Sequence, residues 1–331
     1  MLTEDFKPKF VYNLLTTYND NNEQTVLDIA GASFEISTAD ANIFLQFRGL
    51  CTGHHSIGDI AQKTGISHER ITSMIDTFSE IGMLRKSSDI SLEPKVLTQT
   101  VLSACELWAA QLADTNIFND ILYNQETLST LKGWLLETYH YIKTFPHTVQ
   151  LAASLEADPH LKNVFEVYAG QEMGHEEFVL NCLTCLGFTR NEVENSIPLV
   201  TTRMISLLMN EMVTRKPSTI LCIAKMIEAS EFDLESVNNI RSLMSGKYGI
   251  SGNSLNALFE HTRVDYELGH ETLLDENIAY LSFSSEQEAS DILNRLHDIK
   301  HAFDAQKLEI KDYYNHDGNY VPRQRVDYYA I

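Results

Sequence analysis

Positive charge is scarce in this sequence: 25 Lys and Arg stand against 46 Asp and Glu, a formal net charge of −21 over 331 residues. Binding to phosphate backbones needs a positive field, so this balance argues against nucleic acid as a partner. Proline (7) and glycine (15) are also few, which excludes collagenous and low-complexity architectures and predicts a chain folded throughout. No run approaches the roughly 18 consecutive apolar residues of a membrane span. The opening MLTEDFKPKF lacks the basic-then-apolar order of a secretory signal. A soluble, cytoplasmic protein without a membrane partner is expected. The five cysteines, Cys51, Cys105, Cys182, Cys185 and Cys222, are odd in number and scattered, which fits reduced thiols rather than a disulfide framework. Cys182 and Cys185 form a lone CxxC without the second pair that a four-thiolate zinc site needs, and read as core packing. Gly-rich phosphate loops, nucleophile elbows and dinucleotide fingerprints are missing as well.

What is present is 44 % hydrophobic residues in a chain long enough for about two domains. Residues 1–95 carry β-branched stretches at 25–29 and 33–37, then a helical pattern over 40–50. Ser56 is placed to cap a helix over 57–64, Gly65 to turn the chain, and Ser67 to cap a second helix running to Ile81. Gly82 would end that helix before a short strand at 83–85. The order is that of a helix-turn-helix followed by a wing. The run GLCTGHHSIGDIAQKTGISHERITSMIDTFSEIGMLR resembles the small winged-helix domains that recognise precursor peptides of ribosomally made natural products. Winged helices also serve dimerisation and DNA binding. Eight basic residues against thirteen acidic ones over 1–95, with Arg70 the lone base on the second helix, disfavour DNA. Peptide recognition and dimerisation both stay open.

From residue 96 the pattern is almost entirely helical, with turns at Asp158-Pro159, Gly187-Phe188 and 246–252. Ser285, three residues before Glu288, forms a capping box for a last helix reaching about Tyr314. Residues 315–331 form a polar, Tyr-rich tail, either free or packed against the bundle. Four histidines follow an acid by three residues: Glu137/His140, Glu172/His175, Glu267/His270 and Asp298/His301. Glu172 and His175 share the apolar stripe of Leu161, Phe165 and Tyr168 on a continuous helix, so both are expected to point inward, with the spacing to bind one ion. EMGHE at 172–176 and ELGHE at 267–271 share a phrase, which suggests an internal repeat. His261 and Asp265 fall one helical turn apart on another inward stripe. Between them, a helix over 220–234 aligns Leu221, Ala224, Glu228 and Phe232, putting Glu228 on an apolar face. A lone buried Glu is more often bonded to an Arg or a backbone group.

The order Glu-xx-His, a Glu 53 residues on, then His-xxx-Asp 33 residues later resembles the heme-oxygenase-like diiron oxidases and oxygenases. ETYHYIKTFPHTVQLAAS (137–154) resembles the opening helix of that fold, and QEMGHEEFVLNCLTCLG (171–187) its next metal-bearing helix. The resemblance spans roughly 105–312. It implies a mainly α protein: a heme-oxygenase-like bundle over 96–314 after the small α+β unit. It also implies metal ligands Glu172, His175, Glu228, His261 and Asp265. The family's last histidine has no counterpart, because Leu268 stands there and His270 lies about 140° around an ideal helix from Asp265. Unwinding at Gly269 would bring His270 into the set. Glu137 is an additional candidate ligand, His140 a supporting group or base, and Tyr139, Tyr168 and Arg263 are pocket candidates.

The resemblance implies two Fe(II) ions, with manganese as the alternative metal, O2 as co-substrate and an external electron donor. The implied chemistry is oxidation of a side chain on a precursor peptide, or of a small amine or amino acid, in natural-product biosynthesis; a homodimer is an open alternative. Two other readings share the sequence: a metal-free member of the superfamily, and a non-catalytic peptide-binding or regulatory scaffold.

Overall fold

Serine and glycine decide where the helices of the first unit begin and end. The computed structural model describes residues 3–10, 15–18, 24–29, 32–80, 83–85, 93–228, 233–327 and 329, and the chain divides into two units, Met1–Ser91 and Leu92–Ile331. In chain order, the first comprises β1 (Lys9–Phe10), β2 (Leu15–Tyr18), β3 (Gln24–Ile29), β4 (Ala32–Ser37), α1 (Thr38–Leu50), α2 (Ile57–Thr64), α3 (His68–Glu80) and β5 (Leu84–Arg85). Ser37 caps α1 by accepting from the Asp40 amide, so that helix starts two residues before the expected 40. Ser56 and Asp59 complete a reciprocal capping box on α2, and Gly65 closes it at φ +71°. Ser67 Oγ accepts from the Arg70 amide at 3.3 Å at the start of α3. The expected stop at Ile81 and Gly82 lies outside the described residues.

Strands β2, β3 and β4 form an antiparallel meander, and β1 pairs antiparallel with β5. Pairing of β1 was not foreseen, because a two-residue strand has no measurable alternation. Phe44, Phe47, Ile60, Ile71 and Ile75 are buried in the core of this unit, and Phe10 meets Phe44, Phe47 and Phe78 edge-on at 5.4–6.0 Å between ring centroids.

The second unit is a helical bundle. It contains α4 (Pro94–Thr115), α5 (Ile117–Tyr123), α6 (Leu128–Leu155), α7 (Pro159–Glu172), α8 (Glu176–Cys185), α9 (Arg190–Asn195), α10 (Val200–Arg215) and α11 (Ile220–Ile227). It continues with α12 (Leu234–Tyr248), α13 (Asn256–Leu268), α14 (Leu273–Glu276) and α15 (Glu286–Tyr314). Helix α6 is the spine, packing against α7, α8, α10 and α15. Two apolar clusters follow one another along it, the first half of α6 contributing to one and the second half to the other. One gathers Trp108, Phe165, Met209, Ile223 and Leu296, the other Leu131, Leu135, Leu183 and Phe259, and Tyr141 of α6 packs against both. Each fully buried Leu or Ile contributes about 1.5–3 kcal/mol relative to exposure. Cys182 is buried as expected for core packing, whereas Cys185 is exposed, and all five thiols are free.

The tail packs rather than projecting: the Ile197 amide donates to the Arg323 carbonyl at 3.0 Å, Arg323 donates to the Pro198 carbonyl, and the Tyr313 hydroxyl donates to the Tyr320 carbonyl. Among the described residues no helix is long and apolar enough to cross a membrane.

Contact between α6 and α15 depends on Gly133, where an added Cβ would overlap the Tyr314 ring. Alanine favours the helix by roughly 1 kcal/mol, yet overpacking of this kind costs about 1–3 kcal/mol. Gly133→Ala should therefore lower the denaturant midpoint, with an unchanged slope.

Candidate metal centre

Three interruptions of helical backbone build the site. Helix α7 ends at Glu172, Met173 is extended, and Gly174 takes φ +93° before His175 opens α8. The expected continuous helix through Glu172 and His175 is thus broken, and the two side chains meet across the break rather than along one face. Helix α11 stops at Ile227, with Glu228 as its extended C-cap, so Glu228 does not lie on a helical stripe; Phe232 falls outside the described residues. Helix α13 carries His261 and Asp265 one turn apart, as expected, and ends at Gly269 (φ +70°). The chain then enters a 3-10 turn, His270–Thr272, which swings His270 inward to 1 % exposure. Leu268 is 38 % exposed. The shared EMGHE and ELGHE phrases have a common physical content: a left-handed glycine that lets the next histidine turn off the helix axis. Their acids differ, since Glu172 is buried while Glu267 pairs with Arg263 in solvent.

These breaks converge six side chains. His175, His261 and Asp265 form one group, and Glu172, Asp265 and His270 another; within each, all ligand atoms lie within 4.8 Å of one another. His175 Nδ1 is 3.4 Å from Glu172 Oε2 and 3.3 Å from Asp265 Oδ1, and His270 Nδ1 is 2.9 Å from Glu172 Oε1 and 4.0 Å from Glu228 Oε2. Despite this closeness the angles are not those of hydrogen bonds. Glu172 Oε1, His175 Nδ1, His261 Nε2, Asp265 Oδ1 and His270 Nδ1 are all buried without a hydrogen-bond partner. Orphaned buried polar atoms cost about 1–3 kcal/mol each, and these five belong to residues whose ligand atoms could hold a cation. Carboxylate and imidazole donors suit divalent iron, manganese or zinc.

Supporting contacts aim the ligands. His270 Nε2 lies 3.2 Å from Gln171 Oε1, a contact that sets the orientation of the ring. The Tyr168 hydroxyl donates a short hydrogen bond to Glu228 Oε1, and its ring meets His270 edge-on at 4.7 Å.

Electrostatics follow from crowding acids in a dry place. Burial, then repulsion from Glu172 and Asp265, raises the Glu228 carboxyl well above its usual range. Burial and Glu172 push Asp265 up to about 7. Burial opposes ionisation of Glu172 too, but the imidazoles of His175 and His270 outweigh it and hold this acid down to about 2. Burial resists protonation of His175, but Glu172 prevails and raises it. Burial, aided by His175, lowers His261 to about 4.

The remaining candidates lie elsewhere. Glu137 is buried, but its carboxylate is already satisfied: it accepts from the Leu199 amide at 2.9 Å and from the hydroxyls of Thr202 and Tyr314 at 2.6 Å. It joins neither ligand group. His140 Nε2 lies 2.9 Å from Ser196 Oγ, and burial lowers this imidazole to about 4. The Tyr139 hydroxyl accepts from Lys143 at 3.0 Å. Arg263 is a half-exposed ion-pair partner of Glu260 and Glu267. Of the three pocket candidates only Tyr168 reaches the cluster. Reasoning from sequence missed Gln171, Glu271 and Tyr141. Glu271 Oε2 and the Tyr141 hydroxyl are also buried without a hydrogen bond, and Tyr141 follows Glu137 by one helical turn, the available signal that it shares that face.

No family model matches the sequence, and comparison with curated proteins finds no relative. Among solved structures, a domain of unknown function with a heme oxygenase-like fold from Shewanella denitrificans OS217 superposes with a TM-score of 0.54 at 16 % identity, over 70 % of this chain and 98 % of that one. The bundle has the heme-oxygenase-like fold. A TenA homolog from Pseudomonas syringae pv. tomato DC3000 gives a TM-score of 0.47 at 10 % identity, covering 64 % and 90 % of the two chains.

The Asp265 shift has a testable sign. An acid whose folded value is raised destabilises the fold when ionised; the cost is absent below the ordinary carboxylate range and complete above about 7. In chelator-treated protein, Asp265→Asn should raise Tm near pH 8, by an amount corresponding to about 4 kcal/mol, and leave it unchanged near pH 4. Equal effects at both pH values would show that Asp265 is not held in this field.

Proposed function

We propose that the bundle holds two ferrous ions and uses O2 to oxidise an organic substrate, making the protein a non-heme diiron oxygenase or oxidase. One observation above all supports this reading: two groups of potential ligand atoms have one carboxylate, Asp265, in common. Glu172, His175, His261, Asp265 and His270 would hold the ions, with Glu228 completing the set. Three carboxylates would offset three of the four positive charges and leave room for exogenous ligands. When bound, ferrous iron supplies electrons for the reduction of O2, and manganese is the alternative metal.

The protein's own part is positional. Tyr168 fixes Glu228, Gln171 fixes the His270 ring, and the burial of Glu172, His175, Asp265 and His270 keeps water from the centre. The first unit is read as the substrate holder. Its helix-turn-helix and β1–β5 pairing suit a winged helix, and an open groove of about 530 Å³ lies along α3, lined by Glu4, Glu69, Asp76 and Glu80 among others. This acidity fits a basic segment of a precursor peptide, whose modified side chain would gain effective concentration by tethering. Binding of the full-length protein to a co-encoded peptide tests this directly; absence of binding would leave a free amine or amino acid as the substrate.

Anaerobic loading with ferrous iron should give about two ions per chain, followed by a transient visible absorbance on mixing with O2. Glu228→Ala and His261→Ala should each lose iron while helical circular dichroism stays near wild type. Unchanged iron in both would refute the assignment. Glu137→Gln should keep its iron and lose about 1–3 kcal/mol of stability, separating the two buried glutamates by role.

A further inference from the structure

Of the four acid–histidine pairs in the sequence, Asp298/His301 lies on α15, none of whose residues is in either central ligand group. The fold gives that histidine different company. His297 stands one helical turn before it, with ring centroids 4.2 Å apart and planes at 86°, so two imidazoles meet on one stripe of the helix. His301 is exposed, and its Nδ1 lies 3.7 Å from Asp304 Oδ2, a turn further along. Asp304 is anchored in turn: the Lys300 ammonium donates to it at 2.7 Å and the Thr115 hydroxyl, at the end of α4, donates at 3.3 Å. On the other side, the Trp108 indole backs the His297 ring at 5.4 Å between centroids. Burial, then His301 and Lys300, lowers the His297 imidazole below its ordinary value, so this ring is neutral at neutral pH.

We propose that His297 and His301 together hold one divalent late transition-metal ion of the zinc, nickel or copper class, at a site separate from the central cluster and independent of how that cluster is read. Imidazoles at i and i+4 on one helix face can reach a common ion. Each ring has two nitrogens, so it can keep one contact with the protein and offer the other to a cation. For His301, a cation on Nε2 leaves the proton on Nδ1, facing Asp304; an anchored carboxylate in that place orients the ring and raises its basicity. A pair of imidazoles selects these ions over the magnesium and calcium that oxygen donors favour, with water completing the coordination.

Nickel(II) is the probe, because a paramagnetic ion beside His297 quenches the fluorescence of the adjacent Trp108. The chain has two tryptophans, Trp108 and Trp134, so the titration uses full-length Trp134→Phe protein, in which Trp108 is the sole indole. Expected is saturable quenching that a chelator reverses. In the same background His301→Ala, at an exposed position, should leave the helical circular dichroism unchanged and raise the nickel Kd at least about tenfold. His261→Ala, which removes a side chain of the central cluster, should leave the quenching and its Kd as they were. Absence of saturable quenching, or a Kd that His301→Ala does not alter, overturns the proposal. Loss of quenching in His261→Ala also overturns it, by placing the quenching ion at the centre.

Discussion

Burying three carboxylates and three imidazoles around one point is the constraint on which the bundle turns. Unpaired charge in a dry interior is far more costly than any single packing gain. Glu172 is held ionised by two imidazoles, while Glu228 and Asp265 are driven toward their neutral forms by burial and mutual repulsion. The cluster without a cation is therefore divided against itself. A shared positive group relieves every one of these tensions at once, which is the physical case for a metal.

Contrast with Glu137 sharpens the point. That carboxylate is equally buried, yet an amide and two hydroxyls satisfy it, and those donors tie α6 to α10, α15 and the segment before α10. Its shell is closed, so it acts as a structural fastening. The atoms around Asp265 are as close to one another as hydrogen-bonding groups but have none of the required angles. Glu137 and Glu172 thus differ in that Glu137 meets three protein donors, whereas Glu172 Oε1 meets none.

Architecture serves the cluster through its irregularities. Regular helices supply rigid walls, but Gly174, the extended backbone at Glu228 and Gly269 redirect the chain where a side chain must leave its helical face. Left-handed backbone costs little at glycine and more elsewhere, so the two Gly-His steps are where ligand direction is encoded. The first unit follows different rules, with a reciprocal cap on α2, short strands and an aromatic core.

Much of this was legible beforehand. Periodicity identified the helical bundle, the caps at Ser56 and Ser285 located helix starts, and the resemblance carried by the order Glu172, His175, Glu228, His261 and Asp265 implied the residues that lie together. Residue type and separation along the chain are local facts, which composition and a 3.6-residue period carry directly. Tertiary structure alone decided that α7 breaks before His175, that His270 rather than Leu268 turns inward, and that Glu137 is engaged elsewhere. Each of these depends on what stands opposite a side chain in space, and hydrogen-bond partners hundreds of residues away, such as Tyr314 for Glu137, leave no imprint on local pattern.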